Sequence, residues 1–249
     1  MMNTRVFNTF LLTLSLLAVN VQAGIIASAT RVIFNEGDTE KSLMLLNTNT
    51  YPVITQTWVD NGDVNNAPEL SQAPFVPLPS VFALQPNAYR GIKIVYNGQA
   101  LPADRESVFW LNLYEVPPTQ PITPPMQSRV TLAMNTQMKI FYRPKTLADQ
   151  AQSAADKITF TLLRAGNHYQ LRCNNSSAFY LSFASIAVHI GEHDYPVQQE
   201  SDMMTAPFSS KDYQLDKLPD AHVPTSISVN AALIDELGQQ QMKTYALTY

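Results

Sequence analysis

The chain of 249 residues holds one cysteine, Cys173, so no intramolecular disulfide can form. The thiol sits in the strand-like run HYQLRCNN, where a buried, inert sulfur is expected. A reactive thiol needs an exposed, electropositive setting that this run does not offer. Charge is also scarce. Lys, Arg, Asp and Glu make up 14% of residues and the formal net charge is −4, which leaves no basic surface for nucleic acid or anionic lipid. Glycine is sparse, with eight residues, and neither a Gly-x-Ser-x-Gly elbow nor a nucleotide-binding loop is found. Past Ala23 no apolar run is long enough to cross a bilayer. Helical periodicity is weak throughout. Nothing in the sequence calls for a cofactor or a small-molecule substrate.

The first residues carry an export signal. Arg5 supplies a positive n-region, and Phe10 to Val19 (FLLTLSLLAV) forms an apolar core too short for an ordinary membrane-spanning helix. Val21-Gln22-Ala23 provides the small residues that signal peptidase requires, which disfavours an uncleaved anchor. Residues 1–23 are therefore expected to be a signal peptide, with a mature chain beginning at Gly24.

The clearest strand signal is Ser128 to Pro144, SRVTLAMNTQMKIFYRP, with no glycine and no internal proline. One face carries Val130, Leu132, Met134, Thr136 and Met138; the other carries Arg129, Thr131, Ala133, Asn135, Gln137 and Lys139. A strand this long needs an apolar partner along its whole length. Before it lies Pro117 to Gln127, an exposed loop with five prolines.

Other strands are expected at Gly24–Asn35, Ser42–Leu46, Val53–Val59, Val81–Leu84, Gly91–Tyr96 and Glu106–Val116, with Trp58 as a core candidate. Seven short strands with regular turn signals indicate an immunoglobulin-like β-sandwich over residues 24–146, one without the usual bridging cysteines. Residues 147–157 read as a polar linker. Residues 158–249 repeat the style, with strands at Ile158–Leu163, His168–Cys173, Tyr180–His189, Ser226–Leu233 and Met242–Tyr249 and a turn at Asp235–Gly238. The expected class is all-β, two sandwiches meeting at an angle around a cleft.

Two constellations could carry chemistry. His189-Ile190-Gly191-Glu192-His193 matches the H-x-x-E-H pattern of some zinc peptidases, but that chemistry needs a helix to bring both imidazoles to one face, and this run reads as strand into turn. No metal site is expected. Arg31 and Lys139 each sit within an apolar strand, where a cation needs a partner. They are either ordinary solvent-face residues or a shared site for an anion, a carboxylate above all.

At this point the residues resemble a known family. Ala29-Thr30-Arg31-Val32-Ile33-Phe34, Tyr51-Pro52-Val53, Gln56-Thr57-Trp58, Pro79 to Pro86 (PSVFALQP), Leu101 to Asn112 (LPADRESVFWLN) and Lys139 to Pro144 (KIFYRP) are together similar to the periplasmic pilus chaperones of the chaperone–usher pathway, the PapD-like proteins. The likeness runs over essentially all of Gly24 to Tyr249.

The resemblance implies a boomerang of two immunoglobulin-like domains. It implies an ATP-independent chaperone that lends its own edge strand to incomplete pilus subunits and passes them to an outer-membrane usher. On it, Val130, Leu132 and Met134 fill the subunit groove, and Arg31 with Lys139 hold the subunit's terminal carboxylate. Glu106, Arg143 and either Asp235 or Glu236 form the charged group that fixes the domain angle. The free form would be a monomer or a self-capped dimer. The chain departs from the family in its mild acidity, its lack of a second-domain disulfide and its somewhat long proline loop; the missing cysteine pair favours the short-loop group. Competing readings are a structural pilin or adhesin and, from HIGEH alone, a zinc peptidase.

Overall fold

The computed structural model describes residues 24–63, 68–118, 132–165, 168–215, 218 and 227–248. The signal segment, the proline loop from residue 119, Val130 and His222 lie outside them.

The first domain is a sandwich of two sheets. One has strand order β1–β3–β7–β5, from Ile25–Ala27, Glu40–Asn47, Tyr89–Tyr96 and Phe75–Leu78. The other has order β2–β9–β8–β4–β6, from Arg31–Asn35, Met134–Arg143, Ser107–Val116, Val53–Asp60 and Val81–Leu84. The single strand expected at Gly24–Asn35 is two. β1 runs antiparallel to β3 in the first sheet, and β2 runs parallel to β9 in the second. The chain changes sheets at Ser28–Thr30, and Ser28 ties the crossing to Met44 through its amide and its hydroxyl. Alternation puts Phe34, Leu43, Leu45, Ile92, Ile94, Leu111, Leu113 and Ile140 into the inter-sheet core. Trp58 is not among them. It lies half-buried on the outer face and donates its indole N–H to Asp60 (3.0 Å), because Thr57 and Val59 take the inward positions of β4.

The stretch expected as a linker is ordered. Two 3-10 helices, Lys145–Leu147 and Ala151–Lys157, bury Leu147 and Ala154 against the second domain's core. That domain contains β10 (Ile158–Ala165), β11 (His168–Asn175), β12 (Leu181–Ile190), β13 (His193–Pro196), β14 (Met204–Thr205), β15 (Ser209–Leu215), β16 (Ile227–Ile234) and β17 (Gln240–Thr248). β5, β13, β14 and β15 were not expected from the sequence, being short, proline-bearing or polar. The second core is built on Phe160, Leu171, Cys173, Val188, Tyr213 and Val229. Cys173 is fully buried, as expected, and burial pushes its thiol up to about 11.

Candidate functional site

Strand β9 belongs to the sandwich only in part. Along one edge β8 pairs with it from Ser107↔Tyr142 to Glu115↔Met134. Along the other, β2 pairs only from Arg31↔Lys139 to Asn35↔Arg143. Met134 to Met138 therefore has an open edge among the described residues, with backbone groups free to pair. Among the described residues the strand begins at Met134, and Leu132 and Ala133 precede it without strand pairing; residues 128–131 of the expected strand lie outside them.

The inward-facing row of β9 follows that edge out of the core. Ile140 is fully buried and Met138 is 5% exposed, whereas Met134 is 47% and Leu132 79% exposed. Ile140, Met138, Thr136 and Met134 share one face by period-2 alternation, and Leu132 precedes the strand. A largely apolar row thus leaves the protein's own core and continues into solvent. On the opposite face the strand is clamped. Asn135 and Gln137 both donate to Asn112 Oδ1 (2.9 Å each), and Asn112 donates to Asp60 Oδ2 (2.7 Å). Asp60 also accepts from the Gly62 amide (2.7 Å), so its buried carboxylate is satisfied. The clamp was missed in the sequence, although a lone Asn inside SVFWLNLYEV was the available signal.

Arg31 and Lys139 are neighbours. They are opposed across the parallel β2–β9 register, on the face away from Val32 and Ile140. The Arg31 guanidinium lies over the Phe141 ring at 5.8 Å and donates to the Ile234 carbonyl of the second domain (3.2 Å). Its Nε is buried without a hydrogen-bond partner. Burial lowers the Arg31 pKa, against the opposing pull of Asp235, Glu106 and Glu236. Lys139 reaches Asp202 of the second domain at 2.6 Å.

Next to this pair the domains are joined by a buried ionic group. Arg143 gives Glu106 Oε1 two bonds, from Nε (3.0 Å) and Nη2 (2.9 Å), and reaches Glu236 from Nη1 at 2.5 Å. Glu106 Oε2 accepts the Tyr180 amide (3.0 Å), and the Glu106 amide donates to the Ala178 carbonyl (2.9 Å). Burial pushes the Glu106 carboxyl up, and Arg143 and the Tyr180 amide pull it back. Of the two candidate acids, Glu236 reaches Arg143; Asp235 caps its own turn, accepting from the Leu237 and Gln239 amides and from Gln241. Arg31, Phe141, Arg143, Glu106, Tyr180 and Glu236 line a cavity of about 560 Å³ between the domains.

The histidine pattern does not converge. His189 opposes Asp194 across the β12–β13 hairpin and bonds it at 2.7 Å, while His193 opposes Ile190. Adjacent positions of a hairpin face opposite sides, so the two imidazoles point apart. No group of three or more metal-ligating side chains is found among the described residues.

Residues 24–148 match the family described as pili and flagellar-assembly chaperone, PapD N-terminal domain. Residues 153–245 match the pili assembly chaperone PapD, C-terminal domain. The chain is 33% identical over 208 residues to the chaperone protein FimB/FhaD of Bordetella pertussis, covering 81% of this chain and 82% of that protein. It is 34% identical over 191 residues to the probable fimbrial chaperone YadV of Escherichia coli, covering 76% of each. Among solved structures it is similar to the CupB2 chaperone of Pseudomonas aeruginosa, with a TM-score of 0.73, 32% identity and coverage of 89% of this chain and 100% of that one. It is similar also to a Salmonella enterica structure of the SafA pilin in complex with the SafB chaperone, with a TM-score of 0.72, 26% identity and coverage of 92% and 99%.

Proposed function

The chain belongs to the PapD-like pilus assembly chaperones, and from that premise we propose that β9 and the residues leading into it are the strand it lends to an incomplete pilus subunit. The supporting observation is the half-paired state of β9. Its apolar row becomes exposed where β2 stops covering its edge. An exposed apolar edge invites aggregation, so retaining one makes sense when another chain is meant to pair there. Val130, Leu132 and Met134 enter the subunit groove.

Arg31 and Lys139 bind the subunit's terminal carboxylate. The unpartnered Arg31 Nε is a donor awaiting an acceptor, and Lys139 stands beside it at the end of the open edge. A carboxylate held there sets the register of the added strand, because a one-residue slip would turn every side chain to the wrong face. The Glu106–Arg143–Glu236 group holds the two domains at the angle that presents this site. The mature chain acts in the periplasm after cleavage behind Ala23 and hands its cargo to an outer-membrane usher.

The test is co-purification of tagged chain from periplasmic extract, with the bound proteins identified by mass spectrometry. Pilus subunits should accompany the wild type and be strongly reduced with Arg31→Ala and with Lys139→Ala, at unchanged melting temperature. Equal subunit recovery from all three proteins would rule out the anchor.

A further inference from the structure

Before any partner arrives, Lys139 already has a carboxylate. Its ammonium lies 2.6 Å from Asp202 Oδ1, across the gap between the domains, and the Asp202 side chain is 40% exposed. We infer that Asp202 is an internal occupant of the anion anchor: it holds Lys139 in the free chain, gives it up to a partner's terminal carboxylate, and so decides which carboxylates are accepted. This rests on the anchor reading of Arg31 and Lys139 above.

The segment that carries Asp202 lets its side chain leave at little cost. Lys211 donates to the Asp202 backbone carbonyl (2.5 Å) and pairs with Glu200 at 2.9 Å, while Met203 and Met204 are buried. The backbone therefore stays fixed whether or not the carboxylate keeps its ion pair. A rotation about the side-chain torsions is enough to release it.

Among the acidic groups near the anchor, position singles out the same residue. Glu106 and Glu236 are bound by Arg143, and Asp235 holds together its own turn. Asp202 is the anion placed on Lys139 itself and free to turn toward solvent.

The consequence is selectivity. A tethered carboxylate competes with an effective concentration on the order of millimolar or above. Small free acids at lower concentration do not displace it. A chain whose carboxylate arrives together with strand pairing along Met134–Met138 does, because the backbone bonds and apolar contacts offset the exchange. Asp202 is thus a threshold that ties carboxylate capture to strand capture.

The probe is a fluorescently labelled nine-residue peptide of alternating valine and serine, made with a free terminal carboxylate and as the terminal amide. Binding to wild type, Lys139→Ala, Asp202→Asn and Asp202→Ser is measured by anisotropy. Both Asp202 variants should bind the carboxylate form about three- to tenfold more tightly than wild type and the amide form equally. Structural damage would weaken binding, not tighten it. If Lys139→Ala abolishes the preference for the carboxylate but the Asp202 variants bind no better than wild type, the occupant role is wrong while the anchor stands. If Lys139→Ala keeps the full wild-type preference, Lys139 is no part of the anchor and the inference goes with it. A measurement without ligand gives a second check: acetylation of Lys139 by an N-hydroxysuccinimide ester, followed by mass spectrometry, should be severalfold faster in Asp202→Asn. An unchanged rate would overturn the inference.

Discussion

Thr30 of the first domain and Gly238 of the second stand so close that a Cβ on Gly238 would collide with the threonine hydroxyl. Gly238 also has φ +81°, the left-handed region that favours glycine. The turn between β16 and β17 therefore touches the sheet-crossing segment between β1 and β2, the one that delivers Arg31 to the cleft. Gly238→Ala should push the domains apart and add local strain of about 1 kcal/mol. Solution scattering should show a larger radius of gyration with both domains still folded. An unchanged scattering curve would mean that this contact does not set the domain angle.

The Glu106–Arg143 pair should be costly to break. Both side chains are buried, and removing the acid leaves the Arg143 fork facing Glu236 alone among the described carboxylates. Loss of one partner of a buried pair costs about 3–5 kcal/mol. Glu106→Ala should lose stability on that scale, whereas Glu236→Ala, whose carboxylate is half exposed, should lose less than about 1 kcal/mol. Chemical denaturation of the two variants measures the difference. Equal losses would show that Glu106 is not the buried centre of the joint.

The Asn112 clamp should steady the open half of β9. Asn112→Ala leaves the buried Asp60 carboxylate one donor short and releases Asn135 and Gln137, at a cost of about 1–3 kcal/mol. Amide exchange should accelerate most at Met134–Met138. Uniform acceleration across the first domain would instead mark Asn112 as a general core residue.

Cys173 should be silent in the folded protein. Its thiol is raised to about 11 by burial, so at pH 8 almost none is thiolate and access is blocked as well. A disulfide reagent at pH 8 should label it only after denaturation. Prompt labelling of the native chain would contradict its place in the second core.

The sequence made the two-sandwich architecture legible because strand alternation and turn residues are local signals. Arg31 and Lys139 were legible as cations inside apolar strands, and the structure sets them side by side through the β2–β9 register. What was hidden depends on distant chain. Asp202 lies in a polar stretch with nothing to mark it, and only folding of the second domain carries it to Lys139. Trp58 was expected in the core because of its size, yet the strand's period put it outside. Asp235 and Glu236 are adjacent and chemically alike; the turn geometry, which local composition does not specify, directs one inward to its own loop and the other to Arg143.

A subunit is expected to bind on the exposed apolar row leading out of β9. Leu132→Glu tests it, with Met242→Glu, an exposed position on the second domain, as the control. Burying a leucine side chain contributes about 1.5–3 kcal/mol, and forcing a carboxylate into an apolar groove costs more, so complex formation should fall more than a hundredfold. Subunit recovery from the periplasm should vanish with Leu132→Glu and persist with Met242→Glu, both proteins melting within a degree or two of wild type. Undiminished recovery with folded Leu132→Glu would show that the subunit is held elsewhere.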